Sequence, residues 1–243
     1  MTSVDLYETV RALAYSMRGI TFGDVMLISD RKPWYLPRRI RFAQIEPLDD
    51  IDKFNYNIAF RLKDYIKTDF VLLVHADGFV VHPSCWDERF LDYDYIGSPW
   101  PLPENDHAYR DADGNICRVG NSVSLRSRRL LEYPAAHDLP WERDADGFYN
   151  EDIFLCCTHK REMEAAGLNW APFELALAFG REKPLPENAG RETFVFHKWW
   201  GENETQPRFR APYKRIKDGI RPLLFWRRTA KWREAHGMSG EVE

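Results

Sequence analysis

Cysteine is scarce in this chain, four in 243 residues, and Cys85, Cys117, Cys156 and Cys157 form neither a CxxC pair nor a zinc-like spacing. Adjacent Cys156 and Cys157 are poorly placed to bridge each other. The pattern argues against a disulfide-dense secreted scaffold and predicts reduced thiols in a cytosolic protein. Long apolar runs are missing too. No segment approaches the roughly 20 residues that a spanning helix needs, and the N-terminus lacks a basic region followed by an apolar one. The chain therefore reads as neither secreted through a signal peptide nor membrane-spanning. There is no basic excess either: the formal net charge is −4, which gives no reason to expect nucleic acid as a partner. A compact HExxH motif is also absent, which weakens a metal-dependent hydrolase.

What is present is apolar and aromatic mass, 44% and 14% of residues, enough for one sizeable core. Leu6, Val10, Leu13, Ala14 and Met17 recur at helical spacing, and Gly19 can end that helix. Asp24 to Asp30 and Ile40 to Ile45 read as strands. Between the second of these and the next strand, Asp49 or Asp50 can cap a helix that buries Ile51, Phe54, Ile58, Leu62 and Ile66. The alternation predicts a doubly wound α/β sheet. Its first strand is expected upstream of Met1, or as a remnant at Thr2 to Val4.

Most telling is DFVLLVHADGFVV, residues 69–81. Val71 to Val74 form a short apolar run that predicts a strand buried on both faces, as in a parallel sheet. His75 and Asp77 then emerge at its carboxyl end, the edge at which open α/β sheets bind ligands. A plain Asp-Gly turn explains the same residues without chemistry. Farther on, Trp100 ends an aromatic loop that either packs over the core or stacks on a ligand. Gly120 and Asn121 predict a corner before a strand-like stretch to Ser127, where backbone amides can approach a ligand or simply turn a hairpin. Asn150, Glu151 and Asp152 read as the capped, acidic start of a helix continuing to Gly167. Thr193 to His197 predicts another strand, followed by Lys198, Trp199 and Trp200. A lone histidine in that position is usually a hydrogen-bonded structural residue.

In their serial order the segments SMRGITFGDVMLISD, VLLVHADGFVV, FLDYDYIGSPW, VGNSVSLRSRRLL, NEDIFLC, APFELALAFGREK and FVFHKWW resemble the GT-A glycosyltransferase fold, in particular a poorly characterised glycosyltransferase-like family of bacterial and fungal proteins. The resemblance implies a Rossmann-like α/β domain of the nucleotide-diphospho-sugar transferase type over residues 1–207, with a central mixed sheet flanked by helices. It places Asp77 at the last acid of a DxD metal motif, with His75 in place of the first acid. By the same likeness His197 is a further metal ligand, and Glu151 and Asp152 match an xED motif whose aspartate is the base of inverting members. Gly120, Asn121, Ser122, Ser124 and Arg126 fall in the stretch where such enzymes contact donor and acceptor, with Arg126 suited to clamp a phosphate or carboxylate. His75, Lys198, Trp100 and Trp199 are expected near the same ligands, the tryptophans as stacking faces or as core.

The chemistry implied is transfer of a sugar from a nucleotide-sugar donor to a glycan or lipid-linked acceptor of cell-envelope polysaccharide. A divalent metal on Asp77 and His197 would offset the charge of the departing diphosphate, and oxygen-rich ligands with histidine suit Mn2+ or Mg2+. Residues 208–243 carry a separate signal. From Arg208 to Arg233 the cations face Asp218 alone, with Leu223, Leu224, Phe225 and Trp226 in their midst. Such a segment predicts an amphipathic helix on an anionic membrane surface, and so a cytoplasmic protein peripheral to the inner face. Packing on the domain or binding an acidic partner would use the same residues. A GT-A-like module that binds glycan or nucleotide without turnover is the non-enzymatic alternative, and a metal-dependent hydrolase the weaker enzymatic one.

Overall fold

The computed structural model describes residues 1–211, of which Met1–Phe209 form one compact unit. The expected amphipathic tail helix lies outside the described residues. The chain opens with helix α1 (Leu6–Ser16), which buries Leu6, Val10 and Ala12; Gly19, at φ 78°, turns the chain after it. Strands β1 (Met26–Ser29) and β2 (Arg41–Gln44) pair in parallel, as an alternating α/β pattern requires. Thr2 donates its N–H to Ile28 O at 2.9 Å, so the short segment expected as a strand remnant touches β1. Helix α2 (Ile51–Tyr56) is capped by Asp50, whose carboxylate accepts the Lys53 N–H at 2.7 Å. A wider turn at Asn57–Arg61 and a tighter one at Leu62–Asp64 continue it, and carry Ile58 and Leu62 onto Ile28, Leu73 and Leu131.

The central sheet has the order β3-β5-β4, made of β3 (Phe70–Leu72), β4 (Tyr95–Pro99) and β5 (Val119–Ser127). Here two expectations are corrected. The apolar run after Asp69 is an edge strand, half-buried and antiparallel to β5, because β5 alone pairs with it and one face stays partly open. Gly120 and Asn121 lie inside β5 rather than at a corner before it. Helix α3 (Arg128–Ala136) follows, with Ser127 Oγ accepting the Leu130 N–H at 3.1 Å.

The helix expected from Asn150 to Gly167 is broken. It consists of α4 (Glu151–Ile153), a wide turn at Phe154–Thr158 and α5 (Lys160–Ala165). Asn150 does not cap it, since its amide donates to Asp144 Oδ2 at 2.5 Å. Helix α6 (Phe173–Phe179) then leads into β6 (Gly180–Arg181), which pairs in parallel with β7 (Val195–Phe196). The architecture is mixed α/β, with the strands divided among three small hydrogen-bonded sheets in place of one wide sheet. No helix among the described residues is long and apolar enough to cross a membrane.

Candidate functional site

The site begins where the chain leaves β3. Leu73 N–H reaches Ser124 O at 2.8 Å, and His75 and Gly78 then exchange backbone hydrogen bonds of 2.6 and 3.3 Å across a tight turn. That turn presses Asp77 against the end of β7, where Lys198 N–H donates to Asp77 O at 2.9 Å. Gly78 supplies the necessary space: a Cβ there would stand 2.5 Å from Val123 Cγ2 and 2.8 Å from His197 Cδ2. As a result the donor atoms of His75, Asp77 and His197 all lie within 4.8 Å of one another. The two imidazoles meet edge to face with centroids 5.4 Å apart, and His197 Nε2 is 3.7 Å from Asp77 Oδ1.

Electrostatics in this corner are unbalanced. Burial, reinforced by the neighbouring His197, pushes the His75 pKa down to about 3, so its imidazole is neutral. Burial alone would raise Asp77, but Lys198 and His197 outweigh it and hold the carboxyl well below the usual range. Lys198 adopts φ 64° and sets its ammonium 2.5 Å from Asp77 Oδ2. His197 is opposed by burial and by Lys198, yet Asp77 and Glu182 together raise its pKa. Both of its ring nitrogens are buried without a hydrogen-bond partner, although Glu182 Oε1 stands 3.2 Å from Nδ1. Two imidazoles, one of them a buried ring with unused nitrogens, and a carboxylate form a donor set that fits a divalent cation. Lys198 competes for one of the Asp77 oxygens.

Glu182 and Asn203, which sequence reasoning left without a role, complete the corner. Glu182 directly follows β6, and the strand-end logic that singled out Asp77 and His197 applies to it equally. Its Oε2 accepts from Asn121 Nδ2 at 2.8 Å, while Asn121 Oδ1 accepts the Val123 N–H at 2.9 Å. Asn121 sits at φ 97° inside β5, a left-handed conformation of the kind found where structure is held for function. Asn203 is buried, and its amide reaches the carbonyls of Arg181, Glu182, His197 and Lys198 at 3.0 to 3.4 Å.

Asp152, at the start of α4, is half-buried, and its Oδ1 accepts the Ile153 N–H at 2.9 Å. Burial, then the charges of Glu151 and Glu182, overcome Arg126 and push its pKa up to about 7. Burial and then the charge of Glu182 also raise the Tyr109 hydroxyl, with Asp152 adding to the effect. Glu182 thus borders the metal-type corner on one side and influences Asp152 on the other. Glu151 differs from its neighbour. It is 1% exposed and accepts from Arg126 Nη2 at 2.7 Å, with the Arg126 side chain fully covered. Arg126, expected to clamp a ligand, here clamps Glu151, steadied by Ser124 Oγ at 2.9 Å and the Tyr95 ring at 5.3 Å.

The remaining candidates divide. Trp100 is 3% exposed and stacks on Tyr109 at 4.7 Å, so it takes the packing alternative. Gly120 makes room for it, since a Cβ there would lie 1.9 Å from Trp100 Cζ2. Ser124 is buried and Ser122 half-buried. Trp199 is half-buried between Phe196 and the Arg208 guanidinium, at 5.8 and 5.1 Å. A cavity of about 490 Å³ lies against Asp69, Asp94, Ser127, Arg129 and Asn169, and none of the site residues lines it. Donor geometry, not cavity size, therefore locates the chemistry.

A family profile described as "Protein of unknown function (DUF5672)" matches residues 40–197, a span that contains Asp77, Asp152 and Glu182 and ends on His197. No curated protein matches the chain. Among solved structures, the crystal structure of an active-site mutant of LgtC is similar. The two are 14% identical, the likeness covers 98% of this chain and 92% of that one, and the TM-score is 0.48. A likeness of that size decides nothing about the site, which is read from its own residues.

Proposed function

The chain belongs to the DUF5672 family, and from that premise we propose that it is a divalent-metal-dependent, inverting glycosyltransferase that takes a sugar from a nucleotide-sugar donor to a glycan or lipid-linked acceptor. The observation that carries this reading is the convergence of His75, Asp77 and His197, in a chain whose sequence resembles GT-A enzymes over most of its length. His75, Asp77 and His197 would hold Mn2+ or Mg2+, with Glu182 orienting the His197 ring from behind, as carboxylates do for metal-bound imidazoles. When bound, the cation supplies positive charge against the departing diphosphate.

Asp152 is the base in this reading. A carboxylate with pKa about 7 is poised to take the acceptor hydroxyl's proton near neutral pH. The acceptor oxygen then bonds to the anomeric carbon from the side opposite the diphosphate, whose oxygen leaves with the bonding electron pair, and the configuration inverts. Glu151, locked by Arg126, keeps α4 in place. Asn121, Ser122, Lys198 and Trp199 remain the proposed donor and acceptor contacts. One contact favours a second reading, a module that binds sugar nucleotide without turnover: the Lys198 ammonium against Asp77 Oδ2 already supplies a positive charge there. A thermal-shift screen of nucleotide sugars with and without Mn2+ tests both. The enzyme reading expects a metal-dependent rise in Tm for one donor, together with a product of inverted anomeric configuration on NMR. Stabilisation without metal, and no product, supports the module. No stabilisation by any donor defeats both.

A further inference from the structure

The loop between β1 and β2 displays Trp34 at 95% exposure, the highest of any exposed large apolar side chain among the described residues. Two turns in series build this display. Leu36 N–H donates to Pro33 O at 3.1 Å, which puts Trp34 and Tyr35 at the first tip, and Ile40 N–H donates to Pro37 O at 2.9 Å, which puts Arg38 and Arg39 at the second. Each turn opens on a proline whose φ is fixed by its ring. Pro33 is buried and Pro37 half-buried, so the base of the loop is anchored while its tips stand clear. Trp34 leans edge-on against Tyr35 at 5.6 Å, and Tyr35 in turn against Tyr7 of α1 at 5.7 Å.

The surroundings of Trp34 are cationic. Arg31, Lys32, Arg38 and Arg39 are all exposed. Arg31 pairs with Asp30 at 2.7 Å, whereas Lys32, Arg38 and Arg39 form no ion pair among the described residues. A protein partner's binding centre usually surrounds its tryptophan with apolar neighbours that exclude water, whereas Trp34 leans on Tyr35 and stays 95% exposed. An indole with a polar N–H, displayed beside cations that form no ion pair among the described residues, instead matches the headgroup zone of a bilayer, where tryptophan prefers to sit and where anionic lipid attracts lysine and arginine. We propose that the loop of residues 31–39 is an interfacial anchor for anionic phospholipid, distinct from the basic segment after Arg208 and independent of the glycosyltransferase reading.

The test uses the full chain and vesicles of phosphatidylcholine, alone or with about 30% phosphatidylglycerol. The expected result is sedimentation with the anionic vesicles only. Trp34→Ala should weaken partitioning about tenfold, and Arg38→Gln with Arg39→Gln by roughly fivefold per charge removed. Replacing so exposed a side chain leaves the core untouched, and an unchanged Tm confirms that each variant is folded. Phospholipid brominated near the headgroup should quench part of the emission of the wild type, and Trp34→Phe should lack that quenched component. Partitioning that is unaffected by all these replacements would overturn the proposal and leave membrane contact to other residues. Retention on an acidic soluble protein without vesicle binding would overturn it as well.

Discussion

Two groups of charges in this protein, one fully buried and the other partly open to solvent, behave in opposite ways. Arg126 and Glu151 meet one to one at 2.7 Å with 0% and 1% of their side chains exposed, and the pair carries no net charge. In the other group, Asp77 pairs with Lys198, Asp77 and Glu182 flank a His197 whose two ring nitrogens lack hydrogen-bond partners, and on Asp152 burial and the charges of Glu151 and Glu182 outweigh that of Arg126. Arg126 Nη1 and Glu151 Oε1 also lack hydrogen-bond partners, so the difference lies in the charge: a neutralised pair fixes a scaffold, and an unbalanced group is where the charge of a bound species is expected. The contrast also separates the adjacent carboxylates Glu151 and Asp152, of which the first is sealed and the second is left basic.

The largest effect expected from breaking this contrast is on stability. Arg126→Met strands Glu151 as a buried, unpaired charge, a loss of about 3–5 kcal/mol, measured by urea denaturation. Arg126→Met with Glu151→Leu should recover most of it. A mild loss in the single variant, accompanied by weakened donor binding, would make Arg126 a ligand clamp after all and dissolve the distinction.

Next in size is Asp152→Asn. Transfer should fall by roughly 10²-fold or more while Mn2+ and donor binding persist, as read from kcat against binding isotherms. The same variant sharpens the pKa argument. The folded-state pKa of Asp152 is raised from 3.8 to about 7, so over that window the unfolded chain holds this carboxyl ionised while the folded protein resists ionising it, and the wild type loses stability as pH rises. The Tm gain of Asp152→Asn over wild type should therefore grow between about pH 4 and pH 8. A constant difference would mean that Asp152 is not perturbed.

How much of this was legible follows from the length scale of each signal. Periodicity and a cap residue are local, so α1, β1, β2 and a cap of α2 at Asp49 or Asp50 follow from the sequence, and the structure selects Asp50. Asp77 and His197 were legible because each ends an apolar run. Strand direction depends on which neighbour a strand finds, and the half-buried β3 beside antiparallel β5 gave no local hint of it. Arg126 facing Glu151 is a contact across 25 residues that no spacing rule reveals, and so an expected ligand clamp turned out to hold an internal carboxylate. Trp100 was ambiguous for the same reason, since its neighbours Tyr109 and Gly120 are set by tertiary packing. Glu182 was missed although it follows a strand, because β6 is two residues long and shows no periodicity.

A smaller effect should follow from Glu182→Gln, which keeps the shape behind His197 and removes the charge. Mn2+ affinity should drop about 10- to 100-fold, with Glu182→Asp intermediate, measured by calorimetry. Equal affinity in all three proteins would show that Glu182 does not orient the imidazole.

The most direct measurement of the central claim is Mn2+ titration of the full chain followed by electron paramagnetic resonance of the free ion. The account predicts one bound Mn2+ per chain, abolished by Asp77→Asn and by His197→Ala. Absence of binding by the wild type, or binding that survives both substitutions, would contradict it.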